Sequence, residues 1–185
     1  TTKLALAGEG GQGIQSVAGI LVEAAYQDGK EALYIPNFGV EQRGGVSIAY
    51  CQISNGKIGS PKFQEADLVI ALSDRAVRRT RGYVGAGTLF IFDSFIEDIE
   101  NDLPQKAKRI MAIPALDIAK KELHPRVFNV IVMGAAIAAT NVVGMEQAKK
   151  ALERKLGYKF EQDPELRELN FRALERGAGL VGDLA

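Results

Sequence analysis

The sequence has very few of the side chains that bind metals or act as nucleophiles. Its 185 residues include one cysteine, Cys51, one histidine, His124, and no tryptophan. An iron–sulfur cluster or a structural zinc site usually takes about four Cys or His ligands, so we expect neither in this chain. Cys51 lies in a strand pattern and is interpreted as a small buried apolar residue. His124 lies where a helix is expected to end and is interpreted as a surface residue.

An excess of one charge and a long apolar run are also lacking. The 23 Lys and Arg residues balance 23 Asp and Glu residues, which disfavours binding to nucleic acid or an anionic membrane. The longest apolar stretch, 130–139, is short of the roughly 20 residues that a membrane span needs. No leader pattern is seen, so we expect a cytoplasmic protein. The length suits one domain over residues 1–185.

Hydrophobic patterns along the chain predict an α/β fold. A strand over 4–7, a helix over 14–26 and a strand over 32–35 form a βαβ unit, which implies a parallel sheet. Asn55-Gly56 predicts a hairpin that returns through 57–59. Further strands are predicted at 46–54, 67–72, 88–92 and 109–113, and further helices at 74–81, 116–123, 129–139, 145–156 and 164–176. The predicted fold is a doubly wound, Rossmann-like, mostly parallel sheet with a β-hairpin and a helical C-terminal third.

The most informative motif is the glycine-rich corner between the first strand and the first helix. It reads Gly8-Glu9-Gly10-Gly11-Gln12-Gly13 and fits the G-x-G-x-x-G dinucleotide fingerprint. That fingerprint expects an acidic residue at the end of the second strand to bind the ribose, whereas this strand ends at Asn37. A second interpretation is a tight turn with close packing, which leaves the amide of Gln12 unexplained. Because the loop lies at the carboxyl edge of the sheet, a ligand or partner contact is a third.

A second cluster follows the second strand and is expected at the same edge. It reads Glu41-Gln42-Arg43-Gly44-Gly45. The planar guanidinium of Arg43 suits a carboxylate or phosphate, and the glycines let a partner approach the backbone. An internal ion pair between Glu41 and Arg43 is the alternative. No base or nucleophile is placed near either loop, so we assign no catalytic residue and no metal ligand.

The chain resembles the gamma subunits of 2-oxoacid:ferredoxin oxidoreductases, most of all those of the 2-oxoglutarate or ketoacid type. The first loop is similar to the family's G-x-G-G-Q-G start, and residues 38–45 are similar to its Y-G-P-E-Q-R-G-G loop. Phe38 and Val40 replace the usual Tyr and Pro. The strand at 66–72 and the helix at 129–136 also match, so the resemblance covers nearly the whole chain in order.

The resemblance implies an oxidoreductase complex that converts a 2-oxoacid and coenzyme A to acyl-CoA, CO2 and reduced ferredoxin. It places thiamine diphosphate, Mg²⁺ and iron–sulfur clusters in other subunits or domains of the complex. The implied partners are alpha and beta subunits, with a delta subunit as a further candidate and ferredoxin reached through the complex. This chain is then an accessory subunit, inactive alone, whose two loops face coenzyme A or only partner protein. The loop residues so implied are Gly8, Gly10, Gly11, Gln12, Gly13, Glu41, Gln42, Arg43, Gly44 and Gly45. A free-standing nucleotide-binding enzyme or regulator is the alternative.

Overall fold

The computed structural model describes residues 1–38 and 45–182, which form one six-stranded sheet with six α-helices. The strands are β1 (Thr2–Glu9), β2 (Glu31–Asn37), β3 (Val46–Ser54), β4 (Leu68–Ala71), β5 (Leu89–Asp93) and β6 (Arg109–Ile113). The helices are α1 (Ile14–Gln27), α2 (Asp74–Thr80), α3 (Ala115–Glu122), α4 (Phe128–Thr140), α5 (Met145–Gln162) and α6 (Pro164–Gly179). No helix in these ranges is long and apolar enough to cross a bilayer.

The sheet is mostly parallel but contains one antiparallel insertion. Its strand order is β2-β3-β1-β4-β5-β6, and β1, β4, β5 and β6 pair in parallel. β3 lies antiparallel between β1 and β2. The prediction of an α/β, Rossmann-like fold is confirmed, and the observed sheet is mixed. The βαβ unit differs from expectation, however, because β3 separates the two parallel strands that α1 connects.

The hairpin predicted at Asn55-Gly56 is wrong. Residues 57–59 follow this bend but form no strand. β3 instead finds its outer partner in β2, with Tyr34 opposite Cys51. Pro36 continues β2 rather than ending it, which a proline can do in an edge strand because its missing N–H leaves no ladder bond broken.

Helices cover the two faces of the sheet unequally. One face carries α1 and α4, with α5 and α6 packed outside them, around a large apolar core. The other face carries α2 and a smaller core built on Val69, Val77 and Phe90. The prediction that α4 is buried is confirmed, since residues 130–137 are all buried. α5 runs to Gln162, past the predicted end at 156.

Glycines allow α4 and α6 to touch along their backbones. A Cβ on Gly134 would collide with the carbonyl oxygen of Leu174, and a Cβ on Gly177 would collide with that of Ile131. In both cases the obstacle is backbone, which cannot rotate away as a side chain can. The closeness of this crossing therefore depends on having no side chain at either position.

Candidate functional site: the glycine loop

The glycine loop joins the carboxyl end of β1 to the first turn of α1. A turn closes it, in which the N–H of Gln12 donates to the carbonyl of Glu9 at 3.2 Å. Gly11 and Gly13 have φ values of 88° and 77°, in the left-handed region that favours glycine. Gly13 is the residue that precedes α1, and its carbonyl accepts from the N–H of Val17 at 3.1 Å.

The loop's glycines have different surroundings. A Cβ at Gly8 would lie 2.6 Å from Oε1 of Gln12, and one at Gly13 would lie 2.7 Å from Nδ2 of Asn129 on α4. Gly10 and Gly11 are exposed, and within the described part of the chain a Cβ there would meet no atom within 4 Å. The outer glycines therefore serve packing inside the domain, whereas the tip is open to another molecule.

The side chain of Gln12 is bonded inside the domain. Its Oε1 accepts from the N–H of Glu9 at 2.6 Å, and its Nε2 donates to the carbonyl of Leu72 at 3.0 Å. Leu72 directly follows β4, so this amide joins the carboxyl ends of two neighbouring parallel strands. Gln12, which sequence reasoning left unexplained, thus has a structural role in holding the loop.

An ion pair continues this link on the side of α2. The guanidinium of Arg75 contacts both carboxylate oxygens of Glu9, with Nε–Oε1 at 3.0 Å and Nη2–Oε2 at 2.9 Å. In a Rossmann-like sheet the ligand crevice lies at the carboxyl ends of the strands, at the point where the strand order reverses. In this sheet that point is between β1 and β4. Side chains of the protein itself occupy this crevice. Nothing in the sequence pattern marked Arg75, because it lies 66 residues from Glu9.

The second loop lies partly outside the described residues. Glu41, Gln42, Arg43 and Gly44 are not described, so their predicted positions stay predictions. Phe38 and Gly45, which flank them, line a cavity of about 340 Å³ together with Gly10 and Gly11. The two ends of the second loop thus lie beside the tip of the first.

Hydrogen bonds of the Gln15 side chain connect the glycine loop's helix to the two strands that flank the second loop. Nε2 of Gln15, in the first turn of α1, donates to Oγ of Ser47 at 2.6 Å and to the carbonyl of Ile48 at 3.2 Å. The hydroxyl of Tyr34 on β2 donates to Oε1 of the same amide. Gln15 therefore joins the start of α1 to β2 and β3, the strands that carry the second loop. Sequence reasoning missed Gln15 because its partners are far along the chain.

Three titratable side chains near the sheet, those of Cys51, Asp93 and His124, are buried or hydrogen-bonded to backbone within the domain. Burial raises the pKa of the Cys51 thiol to about 12, which keeps it a neutral apolar side chain at physiological pH. Asp93, at the end of β5, accepts from the N–H groups of Phe95 at 3.1 Å and Leu116 at 3.0 Å. His124 is exposed, and its Nδ1 accepts from the N–H of Arg126 at 3.1 Å.

The donor set does not suit a resident metal or cluster. Within residues 1–38 and 45–182, no three His, Cys, Asp or Glu side chains come together as metal ligands. The described residues therefore do not fit Mg²⁺ or an iron–sulfur cluster, and we derive no step through either group in this chain. A contact surface at Gly10 and Gly11 remains a prediction for this loop.

Comparison with known proteins identifies the origin of the two loops. The family described as pyruvate ferredoxin/flavodoxin oxidoreductase matches residues 3–180. The chain belongs to this family. The resemblance inferred from the two glycine loops is thereby confirmed, and the alternative of a free-standing nucleotide-binding enzyme is not favoured.

Curated and solved relatives of this family member are mostly subunits of 2-oxoacid oxidoreductases. The chain is 32% identical over 153 residues to "2-oxoglutarate synthase subunit KorC" of Methanocaldococcus jannaschii, covering 81% of each chain. It is 30% identical over 176 residues to "Ketoisovalerate oxidoreductase subunit VorA" of Methanothermobacter thermautotrophicus. That match covers 95% of this chain but only 35% of VorA, so the chain spans about a third of the ketoisovalerate relatives it matches.

A solved relative of matching length agrees with the fold. It is the gamma subunit of a keto/oxoacid ferredoxin oxidoreductase from Geobacter sulfurreducens PCA, with 28% identity and a TM-score of 0.78. The alignment covers 100% of both chains. The gamma-type domain is therefore found both as a whole subunit and within a longer chain.

Proposed function

We propose that this family member is the gamma-type component of a 2-oxoacid:ferredoxin oxidoreductase, either as a subunit or as part of a longer chain. The assembly converts a 2-oxoacid and coenzyme A to acyl-CoA and CO2 and passes the electrons to ferredoxin. The observation that carries this proposal is the family match over residues 3–180. 2-Oxoglutarate or a related oxoacid is the proposed substrate, with pyruvate, branched-chain oxoacids and indolepyruvate as the alternatives to test.

The proposed partners supply the reactive groups. Thiamine diphosphate and Mg²⁺ would be held in partner components and would supply activation of the oxoacid, and iron–sulfur clusters there would supply the path of the electrons to ferredoxin. The alpha and beta components are the proposed partners. A delta component is a further partner to look for. The proposed location is the cytoplasm, where such an assembly meets ferredoxin and coenzyme A.

We assign the two loops to the contact between this chain and the active centre. Gly10 and Gly11 leave a stretch of backbone uncovered, and Phe38 and Gly45 place the second loop beside it. Open backbone N–H groups suit an anionic group such as a phosphate of coenzyme A, or a partner's carbonyls. Glu41, Gln42, Arg43 and Gly44 complete the proposed surface, with Arg43 as its cationic group.

Reconstitution tests the function. The chain is mixed with its candidate alpha and beta partners, and reduction of ferredoxin is followed with each 2-oxoacid in the presence of coenzyme A. We expect co-purification and oxoacid-dependent reduction that disappears when this chain is left out. A chain that neither co-purifies nor alters the reaction contradicts the proposal, as does tight binding of NAD or ATP to the chain alone.

Arg43→Ala tests the loop assignment within that assembly. We expect a higher apparent KM for coenzyme A or weaker assembly, because a charge-assisted contact is removed. Arg172→Ala is the matched control, since Arg172 is exposed on α6, which does not line the cavity beside the glycine loop. Unchanged KM and unchanged assembly would contradict the role of Arg43 while leaving the function of the chain intact.

A further inference from the structure

A second cavity lies on the opposite face of β3 from α1. Side chains alternate along β3, so Ser47 and Cys51 face the α1 side, whereas Ile48 and Tyr50 face the α2 side. β3 lies antiparallel between β1 and β2, and the helix that connects β1 to β2, α1, packs on the other face of the sheet. Among the described residues, no helix covers β2 on the α2 side. Residues 57–63 run beside β2 there, and cavities separate this segment from the strand.

Aromatic rings form the walls of this cavity, whose volume is about 550 Å³. The rings of Tyr50 and Phe63 are 5.9 Å apart, and those of Tyr50 and Tyr83 are 5.2 Å apart. Phe38 also lines the cavity and is 67% exposed, an uncovered apolar surface at its mouth. The volume and the apolar lining are typical of a small-molecule site. The remaining lining residues are Ile35, Pro36, Asn37, Pro61 and Lys62.

Two polar groups of the cavity can donate to a ligand, and the amide of Asn37, which can donate and accept, also lies in the lining. The hydroxyls of Tyr50 and Tyr83 are hydrogen-bonded to each other at 2.9 Å, which uses one of their two protons and leaves the other for an acceptor. The ammonium of Lys62 has no ion-pair partner within the described ranges. Among the described lining residues there is no Asp or Glu.

A second cationic side chain, that of Arg79, lies near Tyr50 but outside the lining of the cavity. Burial and the bond to Tyr83 raise the pKa of Tyr50, and Arg79 opposes that rise through its positive charge. Arg79 therefore acts electrostatically on the hydroxyl of Tyr50, and it has no ion-pair partner among the described residues. The cavity thus combines stacking surfaces with positive charge and one spare hydroxyl proton.

We propose that this cavity binds a free aromatic carboxylate. The ring of the ligand lies among Tyr50, Phe63 and Phe38, where offset or edge-to-face packing is favourable. The carboxylate accepts from the Tyr83–Tyr50 pair and from Lys62, two donors that match its two oxygens. This site adjoins the cavity beside the glycine loop, since Phe38 lines both, but it does not depend on the proposed oxidoreductase function.

Titration of the full chain with three matched probes tests the site. The probes are 2-naphthoate, its charge-reversed analogue 2-(aminomethyl)naphthalene, and the aliphatic carboxylate octanoate. Binding is measured by calorimetry and located by NMR through shifts of the tyrosine and phenylalanine ring signals. We expect 2-naphthoate to bind about ten-fold more tightly than either other probe, because only it satisfies both the rings and the donors.

Two substitutions assign the binding to the named donors. Lys62→Gln is expected to weaken 2-naphthoate binding about ten-fold and Tyr83→Phe about five-fold, since each removes one donor to a charged group. Both changes keep most of the side chain, and circular dichroism checks that each variant is folded. Lys120→Gln, an exposed position on α3, is the control and is expected to change nothing.

Three results would overturn the proposal. The first is no measurable binding of 2-naphthoate by the folded chain. The second is equal binding of all three probes, which would indicate a nonspecific apolar surface. The third is binding that neither Lys62→Gln nor Tyr83→Phe weakens.

Discussion

Glycine serves opposite purposes at the α4–α6 crossing and at the tip of the glycine loop. At the crossing, Gly134 and Gly177 each face a backbone carbonyl that leaves no room for a methyl group. At the tip, a Cβ added to Gly10 or Gly11 would meet no atom of the described residues within 4 Å. Glycine at the crossing is therefore required by the domain itself, whereas glycine at the tip serves whatever approaches from outside. Stability measurements on the isolated chain can separate these two uses.

The largest effect is expected at the crossing. Gly177→Ala places a methyl group against the carbonyl of Ile131, so α4 and α6 must separate. We expect a loss of about 3 kcal/mol in the free energy of unfolding, measured by urea denaturation. Gly157→Ala is the control, because Gly157 lies inside α5 with open space around its Cβ position. It should raise stability by about 0.5 kcal/mol through helix propensity. Equal effects at both positions would contradict the close crossing.

Gly13→Ala comes second. The alanine must adopt a φ of 77° and meets the side chain of Asn129, so we expect a loss of about 2 kcal/mol. The double variant Gly13→Ala with Asn129→Ala separates the two causes in a denaturation cycle. If crowding contributes, Gly13→Ala costs less in the Asn129→Ala background than in the original chain. Identical costs in the two backgrounds would show that the Asn129 amide adds nothing, and would leave backbone conformation and the Asn129 Cβ, 2.9 Å from the new methyl group in both backgrounds, as the causes.

Gln12→Ala is expected to have an intermediate effect. It removes the acceptor for the N–H of Glu9 and the donor to the carbonyl of Leu72, at a cost of about 1.5 kcal/mol. Gln27→Ala, at the exposed end of α1, makes the same change and is expected to cost less than about 0.5 kcal/mol. If the two variants unfold at the same urea concentration, the link between β1 and β4 adds nothing to stability.

The smallest effect on stability is expected at the tip. Gly10 lacks a positive φ, and its Cβ position is open, so Gly10→Ala should change the free energy of unfolding by less than about 0.5 kcal/mol. In the reconstituted assembly the same variant should weaken partner binding or raise the KM for coenzyme A, because the added methyl group stands on the proposed contact surface. If Gly10→Ala changes neither partner binding nor the KM for coenzyme A, the tip contacts neither the partner nor coenzyme A.

Local patterns in the sequence located most elements, because burial and turn chemistry are encoded by neighbouring residues. The buried α4 and the strands at 46–54 and 109–113 were predictable for this reason. The position of β3 in the sheet, between β1 and β2, was not predictable, since strand order depends on pairing between distant residues. Asn55-Gly56 is a sound turn signal, but a turn makes a hairpin only if a strand follows, and Lys57-Ile58-Gly59 is too short and polar to compete with β2.

The candidate site shows the same division. The glycine loop and its structural context could be found from spacing alone. The partners of its side chains could not, because Gln12 and Leu72 are 60 residues apart and Gln15 and Ser47 are 32 apart. No periodicity connects such residues; only the completed sheet brings them together. The aromatic cavity escaped prediction for the same reason, since Phe38, Phe63 and Tyr83 come from separate segments.

In the glycine loop, the side-chain amide of Gln12 takes the place that a bound ligand has in dinucleotide-binding folds. In dinucleotide-binding folds an anionic phosphate accepts from loop N–H groups, whereas here Oε1 of Gln12 accepts from the N–H of Glu9. The loop is thus complete before any other molecule arrives. Its shape should be the same in the free chain and in the assembly, so a partner or coenzyme A would meet a preformed surface and lose little entropy in ordering it.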